Sequence, residues 1–469
     1  MVKSRIGLFL LFLLMGGMSP LAFAQAVPRT DLELKASYAP VVQQAAPAVV
    51  NIYTKRVVTR RSRSVFDDPF FREFFGDSLP GGMSRQRVES SLGSGVIVDE
   101  TGVIVTNNHV IENTDEIKIV LADRREFSAE VLLTDPQTDL AVLKVNTEAP
   151  LPHLDFADSD GAAVGDIVLA IGNPFGVGQT VTSGIVSALS RTAASISDYQ
   201  FFIQTDAAIN PGNSGGALVD VDGRLLGVNT AIYSRSGGSN GIGFAIPGNL
   251  VQQVVASAVG GEMMVRRPWI GVVGSTVTQQ IAAAVGLDRP VGVVIGTVYP
   301  GGPADRAGLR EGDVIVSLAG QEIYDAEALR YRPATRPEGE RVAVSYLRDG
   351  QRREGTMTLR YPPEDPPRSA KLLEGPHPFS GATVGNLSPA LAEEIGLDPF
   401  ARGVVVLETQ QGSLAQRYRM SRGLTIVEVN NQRIERVADL ERVLATPSRR
   451  FLLRLADRNG RISTLQVGL

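Results

Sequence analysis

From Leu92 the apolar residues run in short alternating stretches, GSGVIVDETGVIVT, then IKIVLADRREFSAEVLL, then LAVLKV, each broken by Asp, Glu, Thr or Gly. Period-two alternation between such breaks predicts antiparallel strands joined by tight turns, because successive side chains of a strand face opposite sides of the sheet. The pattern continues through IVLAIGNP, GQTVTSGIVSAL, GALVDVDGRLLGVNTAI and GIGFAIP, which is the spacing of a barrel or a sandwich. Ahead of it, LKASYAPVVQQAAPAVVNIYT predicts a short helix feeding a first strand, and behind it GNLVQQVVASAV predicts a helix that closes the unit near Val259. Residues 37–260 are therefore expected to form one large β domain. An insert from Arg60 to Arg87 interrupts it, and Phe70, Phe71, Phe74 and Phe75 fall there at helical spacing. Local packing of a surface loop and contact with another subunit both account for that cluster.

Two further segments repeat one pattern about 110 residues apart. GVVIGTVYPGGPADRAGLREGDVIVSLAGQEI and GVVVLETQQGSLAQRYRMSRGLTIVEVNNQRI each read strand, Gly turn, short helix, strand, polar turn. They place one unit at 266–361 and another at 376–469, with the Pro-rich, charged stretch of 362–375 as a semi-rigid linker. At the other end, MVKSRIGLFLLFLLMGGMSPLAFAQA combines a basic start, an apolar core and Ala22-Phe23-Ala24 before Gln25. That is the form of a secretory signal cleaved after Ala24, and its apolar run is far short of the roughly 20 residues a membrane span requires.

Composition adds little beyond confirming a folded, mainly β, multidomain chain. The protein has 469 residues, 43% of them hydrophobic and 20% charged, with 49 glycines and 27 prolines. A net charge of -4 supplies no electrostatic reason to bind nucleic acid or acidic membranes. An exported protein can use disulfides, but this one has no cysteine, so packed cores must hold it together.

Candidate chemistry gathers around GNSGGALV, where Ser214 stands between glycines. A serine hydroxyl becomes a competent nucleophile only with a base to take its proton. Of the three histidines, His153 in LPHLDF reads as a strand residue and His377 stands at the end of the Pro-rich run YPPEDPPRSAKLLEGPHP, whereas His109 in VIVTNNHVI sits where a strand gives way to a polar turn. An imidazole base needs a carboxylate to hold its tautomer. Asp135 precedes a proline and reads as a turn former, while Asp139 leads directly into the apolar strand LAVLKV and is the preferred partner. The loop Gly212-Asn213-Ser214, followed by Gly215 and Gly216, can bring the amides of Gly212 and Ser214 together as donors to a developing oxyanion. Neither metal nor cofactor is expected.

The motifs TNNHV, TDLAVLKV and INPGNSGG resemble those of the HtrA/Deg family of exported trypsin-like serine proteases, and the duplicated segments resemble that family's two C-terminal PDZ domains. The resemblance covers nearly the whole chain after the signal. It implies a trypsin-like double β-barrel followed by two PDZ domains of α+β type. It also implies periplasmic location, ATP-independent degradation of unfolded or misfolded proteins, and homotrimers that can assemble further. The absence of a Gly-Lys-Ser/Thr phosphate loop agrees with independence from ATP. By the same resemblance the Phe-rich insert mediates contact between trimers, Arg191 belongs to a regulatory loop, and Ile209 and Ile232 line an apolar specificity pocket. An ordinary surface arginine is the other reading of Arg191. Ala208 stands where trypsin-like enzymes selecting basic residues carry an acid. In the first PDZ segment Trp269, Ile270, Gly271 and Val272 match the loop that captures exposed apolar C-terminal peptides, whereas the second departs at Gly381 to Val384 and has Leu424 in place of Asp313. A chaperone or scaffold that holds unfolded envelope proteins is the competing function, and the complete His109, Asp139 and Ser214 set favours the protease.

Overall fold

The structure, a computed structural model, describes residues 37–58, 87–173, 178–191, 201–232 and 239–469. The expected signal segment and the Phe-rich insert lie outside the described residues. Helix α1 (Ala39–Ala45) starts with Pro40 in its first turn, where a missing N–H costs nothing, and delivers the chain into β1 (Val49–Val58). Strands β2 (Arg87–Asp99) and β3 (Val103–Asn107) follow, then the one-turn helix α2 (Asn108–Ile111), β4 (Glu116–Val120), β5 (Glu126–Asp135) and β6 (Leu140–Val145). They close in the order β1-β2-β3-β6-β5-β4. A second closed barrel takes β7 (Ile167–Gly172), β8 (Thr180–Arg191), β9 (Phe202–Thr205), β10 (Ala217–Val219), β11 (Leu225–Ile232) and β12 (Gly243–Pro247) in the order β10-β11-β12-β9-β8-β7.

Closure removes sheet edges, and the alternation read in the sequence becomes an inward-facing core. Val50, Ile52, Ile97, Ile104, Leu140 and Leu143 are buried together in the first barrel. Helix α3 (Gly248–Val259) lays Leu250, Val251 and Val254 against the same cluster, as its sequence predicts. His153 is a correction: it lies in exposed, unpaired chain between the barrels, not in a strand.

The first repeat contains β13 (Val272–Thr276), α4 (Gln279–Val285), β14 (Val293–Val298), α5 (Pro303–Arg306), β15 (Val314–Leu318), β16 (Gln321–Glu322), α6 (Ala326–Ala334), β17 (Arg341–Arg348) and β18 (Gln351–Thr358). The second contains β19 (Lys371–Leu372), β20 (Ala382–Asn386), α7 (Pro389–Ile395), β21 (Val404–Thr409), α8 (Leu414–Arg417), β22 (Thr425–Val429), β23 (Gln432–Arg433), α9 (Val437–Leu444), β24 (Arg450–Ala456) and β25 (Ile462–Gly468). The sheets run β13-β14-β15-β17-β18 and β19-β20-β21-β22-β24-β25, so the duplication is one topology used twice, with an added strand in the second copy. The Pro-rich stretch is therefore more than a spacer, because β19 comes from it. Asp313 is buried under Arg348, which reaches it through Nε and Nη2, both at 2.7 Å. Its counterpart Leu424 packs on the second repeat's own core instead.

The repeats dock on the barrels through specific contacts. Tyr331 of α6 is fully buried and stacks on Phe201 with ring centroids 3.8 Å apart, while Arg332 Nη1 meets Asp160 at 2.6 Å. Asp135 ends β5 as a buried carboxylate paired with Arg267, so it ties the barrel to the first repeat in addition to forming a turn. Next to it, Gln137 Nε2 donates to the carbonyls of Glu393 and Glu394 in the last turn of α7, the Glu393 carbonyl also accepting the Gly396 amide at 3.3 Å.

Candidate active site

Strand register brings the first two residues together. The pairing of β3 with β6 runs from Val103 opposite Lys144 to Asn107 opposite Leu140. His109 follows Asn107 and Asp139 precedes Leu140, so both stand at one end of the same strand pair. Asp139 holds a left-handed φ of 60°. Few residues other than glycine adopt that conformation, and aspartate is among those that tolerate it. The turn is clamped from both sides, since Asn107 Nδ2 and the Asn108 amide each donate to the Asp139 carbonyl at 3.0 Å.

The Asp139 carboxylate then receives three donors. Oδ1 accepts the His109 amide at 3.0 Å, and Oδ2 accepts His109 Nδ1–H at 2.7 Å and the Thr230 hydroxyl at 2.8 Å. With Nδ1 carrying its proton toward the carboxylate, Nε2 is left as the basic nitrogen. The His109 side chain is 40% exposed and that of Asp139 only 13%, so the base faces the solvent side and its orienting partner sits beneath.

Ser214 enters from the second barrel. The Gly215 amide donates to Asn229 at 2.8 Å and the Asn229 amide to Gly216 at 2.9 Å, continuing the pairing of β10 with β11 into the loop. This sets Ser214 beside Thr230, and Ser214 Oγ donates to the Thr230 carbonyl at 3.1 Å. No hydrogen bond joins Ser214 to His109 in this conformation; both are linked to Thr230, one directly and one through Asp139.

Ser94 ties this loop to the first barrel. Fully buried in β2, it accepts the Asn173 amide at 2.9 Å, donates its hydroxyl to the Gly212 carbonyl at 2.6 Å, and gives its own amide to the Ser214 carbonyl at 3.0 Å. Gly212 and Gly215 have φ of 99° and 81°. A Cβ at Gly215 would lie 2.1 Å from the Ser94 carbonyl oxygen and 2.3 Å from Thr106 Oγ1, so glycine is required there on both counts. The Asn213 amide is consumed by Asn210 at 2.9 Å, and the Asn213 side chain is buried against Gly172. The amides of Gly212 and Ser214 have no acceptor among the described residues, which leaves those two donors available to a ligand.

Ile209 is 1% exposed within the apolar cluster of the second barrel, and a Cβ at Gly243 would meet its Cδ1 at 2.8 Å. Ile232 ends β11 opposite Gly243, and Arg191 ends β8 opposite Phe202; their side chains lie outside what is described. Ile270, Gly271 and Val272 form the turn into β13, the outer strand of the first repeat, with Gly271 at a φ of 74°. His377 is buried in a turn before β20, its Nε2 3.2 Å from the Glu374 carbonyl, and burial holds its pKa below the ordinary imidazole value. Among the described residues no group of three or more His, Asp or Glu side chains is arranged to hold a metal ion.

Thr230 and Ser94 are the participants that sequence reasoning missed. Each is a buried hydroxyl within an apolar strand run, and the only signal was a polar residue at a position where GVNTAI and GSGVIV otherwise demand core.

Comparison with known proteins identifies the family. The model of the trypsin-like peptidase domain matches residues 93–228 and that of the PDZ domain matches residues 294–348. The chain is 36% identical over 468 residues to the periplasmic serine endoprotease DegP of Escherichia coli strain K12, covering 95% of each. It is 39% identical over 436 residues to a probable periplasmic serine protease do/HhoA-like of Haemophilus influenzae, covering 90% of each. The solved structure of the HtrA-type protease AlgW with tripeptide is similar at 44% identity and a TM-score of 0.51, over 70% of this chain and 99% of that one.

Proposed function

Because the chain belongs to the HtrA/DegP family of trypsin-like serine endopeptidases, we propose that it degrades misfolded or damaged proteins in the bacterial periplasm without ATP, using His109, Asp139 and Ser214 as its triad. The observation that carries this reading is the Asp139 carboxylate, held by three donors with His109 Nδ1–H at 2.7 Å and Thr230 bridging it to Ser214.

In the catalytic step Ser214 Oγ turns from the Thr230 carbonyl toward His109 Nε2. His109 takes its proton as Oγ attacks the scissile carbonyl, and Asp139 stabilises the resulting imidazolium. The amides of Gly212 and Ser214, which have no acceptor among the described residues, receive the oxyanion, and Ser94 holds their loop through the Gly212 carbonyl. His109 then returns the proton to the leaving amine, and water resolves the acyl-enzyme by the same route. The hydroxyl's bond to Thr230 describes a resting rotamer, so substrate engagement includes reorientation of one side chain.

Substrate capture is assigned to the first repeat. An extended C-terminal peptide would add to β13, its carboxylate reaching the Ile270-Gly271-Val272 turn. We place Ile209 and Ile232 in the wall of an apolar specificity pocket, Arg191 in a regulatory loop, and the working unit as a homotrimer able to assemble further. Digestion of unfolded casein by the native protein, compared with Ser214→Ala, tests the function: the native protein degrades it without ATP and the variant does not. Equal digestion by both would remove Ser214 from the mechanism.

A further inference from the structure

The two repeats differ at the strand that flanks their Gly turns. In the first, β13 is an edge strand whose one neighbour among the described residues is β14. In the second, β20 has β21 on one side and β19 on the other. The turns themselves make the same two backbone hydrogen bonds. Tyr299 donates to the Gly271 carbonyl at 2.8 Å and Ala304 to that of Ile270 at 2.9 Å; Gln410 donates to the Gly381 carbonyl at 2.8 Å and Ala415 to that of Ser380 at 3.0 Å. Gly381 therefore corresponds to Gly271, and β20 to β13.

Residues 367–373 lie along the edge of β20 in the manner of a bound peptide. Lys371 pairs with Val384 and Leu372 with Thr383, antiparallel. The Leu373 amide donates to the Ala382 carbonyl at 2.9 Å, and the Gly381 amide donates to the Leu373 carbonyl at 2.8 Å. That carbonyl occupies the place where β-strand addition puts a ligand's terminal carboxylate. The Leu373 side chain is 4% exposed, within the cluster that includes Phe379, Val437 and Leu440. Two residues back, Lys371 Nζ pairs with Glu441 on α9. Further back, the Arg368 carbonyl accepts the Asn386 amide at 2.7 Å and the Pro367 carbonyl accepts Asn386 Nδ2 at 2.8 Å.

We infer that the second repeat is a peptide-binding site filled by the chain's own linker, with Leu373 in the position of a C-terminal residue. The ligand class it takes once the linker withdraws is a free C-terminus ending in an apolar residue, with a basic residue two places before it to face Glu441. Withdrawal also lengthens the tether between the repeats, so ligand binding there is coupled to their spacing. This extends the capture function proposed for the first repeat but does not depend on it, because cross-links to the two repeats are mapped separately.

The test uses the full chain carrying Ser214→Ala, so that nothing is digested, and a photoreactive, fluorescent peptide ending in RSAKLL with a free carboxylate. Cross-linked residues are mapped by mass spectrometry and affinity by anisotropy. Two variants bracket the proposal. Leu373→Asp expels the internal ligand, and paired Leu372→Cys and Thr383→Cys, in a chain with no other cysteine, fix it in place as a disulfide between opposed residues. A groove open in about a tenth of molecules or fewer weakens apparent affinity about tenfold or more. We expect Leu373→Asp to strengthen labelling of residues 376–469 by at least about that factor, and the disulfide to abolish it until reduced. An amidated peptide should label neither form in that region. Should Leu373→Asp unfold the repeat, as judged by near-ultraviolet circular dichroism, Lys371→Glu decides instead, since it sets like charge against Glu441 while keeping Leu373. Labelling of the second repeat in the locked protein, or no gain in a folded release variant, overturns the inference. Failure of the first repeat to label would instead count against the capture function proposed for it.

Discussion

Replacing Thr230 with valine removes one hydroxyl from the site and almost nothing else. Valine keeps the branched shape that a buried β11 position needs, and the Thr230 carbonyl that holds Ser214 stays in place. What is lost is the 2.8 Å bond from Oγ1 to Asp139 Oδ2, leaving that carboxylate with His109 as its only donor among the described residues. A hydrogen bond to a charged group contributes about 1.5–3 kcal/mol. If that stabilisation is expressed as the imidazolium forms, kcat/KM should fall about 10- to 100-fold, since each 1.4 kcal/mol is about a factor of ten. The assay is steady-state cleavage of a fluorogenic peptide with thermal unfolding measured alongside, so that lost activity is not mistaken for lost fold. The fall should appear mainly in kcat, because the bond acts on the base rather than on substrate binding. Activity within twofold of native in a folded Thr230→Val protein would refute the assignment of Thr230 as a positioning residue.

Three further outcomes are expected. Gly215→Ala forces a side chain into left-handed backbone at about 1–2 kcal/mol and drives Cβ onto the Ser94 carbonyl, so the nucleophile loop must shift; a shift of about 1 Å costs on the order of 100-fold in rate, readable in the same peptide assay. With Ala208 in place of an acid, digested casein should show cuts after Val, Ala and Ile, and mass spectrometry finding mostly Lys and Arg there would refute the apolar pocket. Burial lowers the His377 pKa below 6.5, so the unfolded chain binds the proton more readily. Its stabilisation of the second repeat is then present above pH 6.5 and lost as pH falls through the lowered value. The transition of that repeat in calorimetry should move down over this range, and His377→Gln should flatten the dependence.

How much of this was legible in the sequence follows from what each feature leaves as a pattern. The barrels announce themselves because half-buried strands alternate, and His109 and Asp139 were findable because each stands where an apolar strand meets a polar turn. The duplication was visible because Gly turns and short helices recur at fixed offsets. Thr230 and Ser94 were not legible, since a single hydroxyl inside an apolar run looks the same whether it bridges two catalytic groups or satisfies a backbone carbonyl. Strand β19 was hidden for a different reason: two residues in a Pro-rich stretch have no period, and their conformation is dictated by an edge supplied by residues further along the chain. The docking of Tyr331 and Arg332 was equally invisible, because a short helix whose faces are covered by two units lacks a clear apolar stripe.

The central claim is that Ser214 is a nucleophile activated by His109, and covalent capture tests it most directly. A fluorophosphonate reacts with a serine only when a base takes its proton and donors receive the phosphoryl oxygen, which are the roles of His109 and of the Gly212 and Ser214 amides. Intact-mass and peptide mapping of the treated native protein should give one adduct, on Ser214, and none in His109→Ala. An unmodified Ser214 in protein that still cleaves casein, or equal labelling in the His109→Ala variant, would contradict the account.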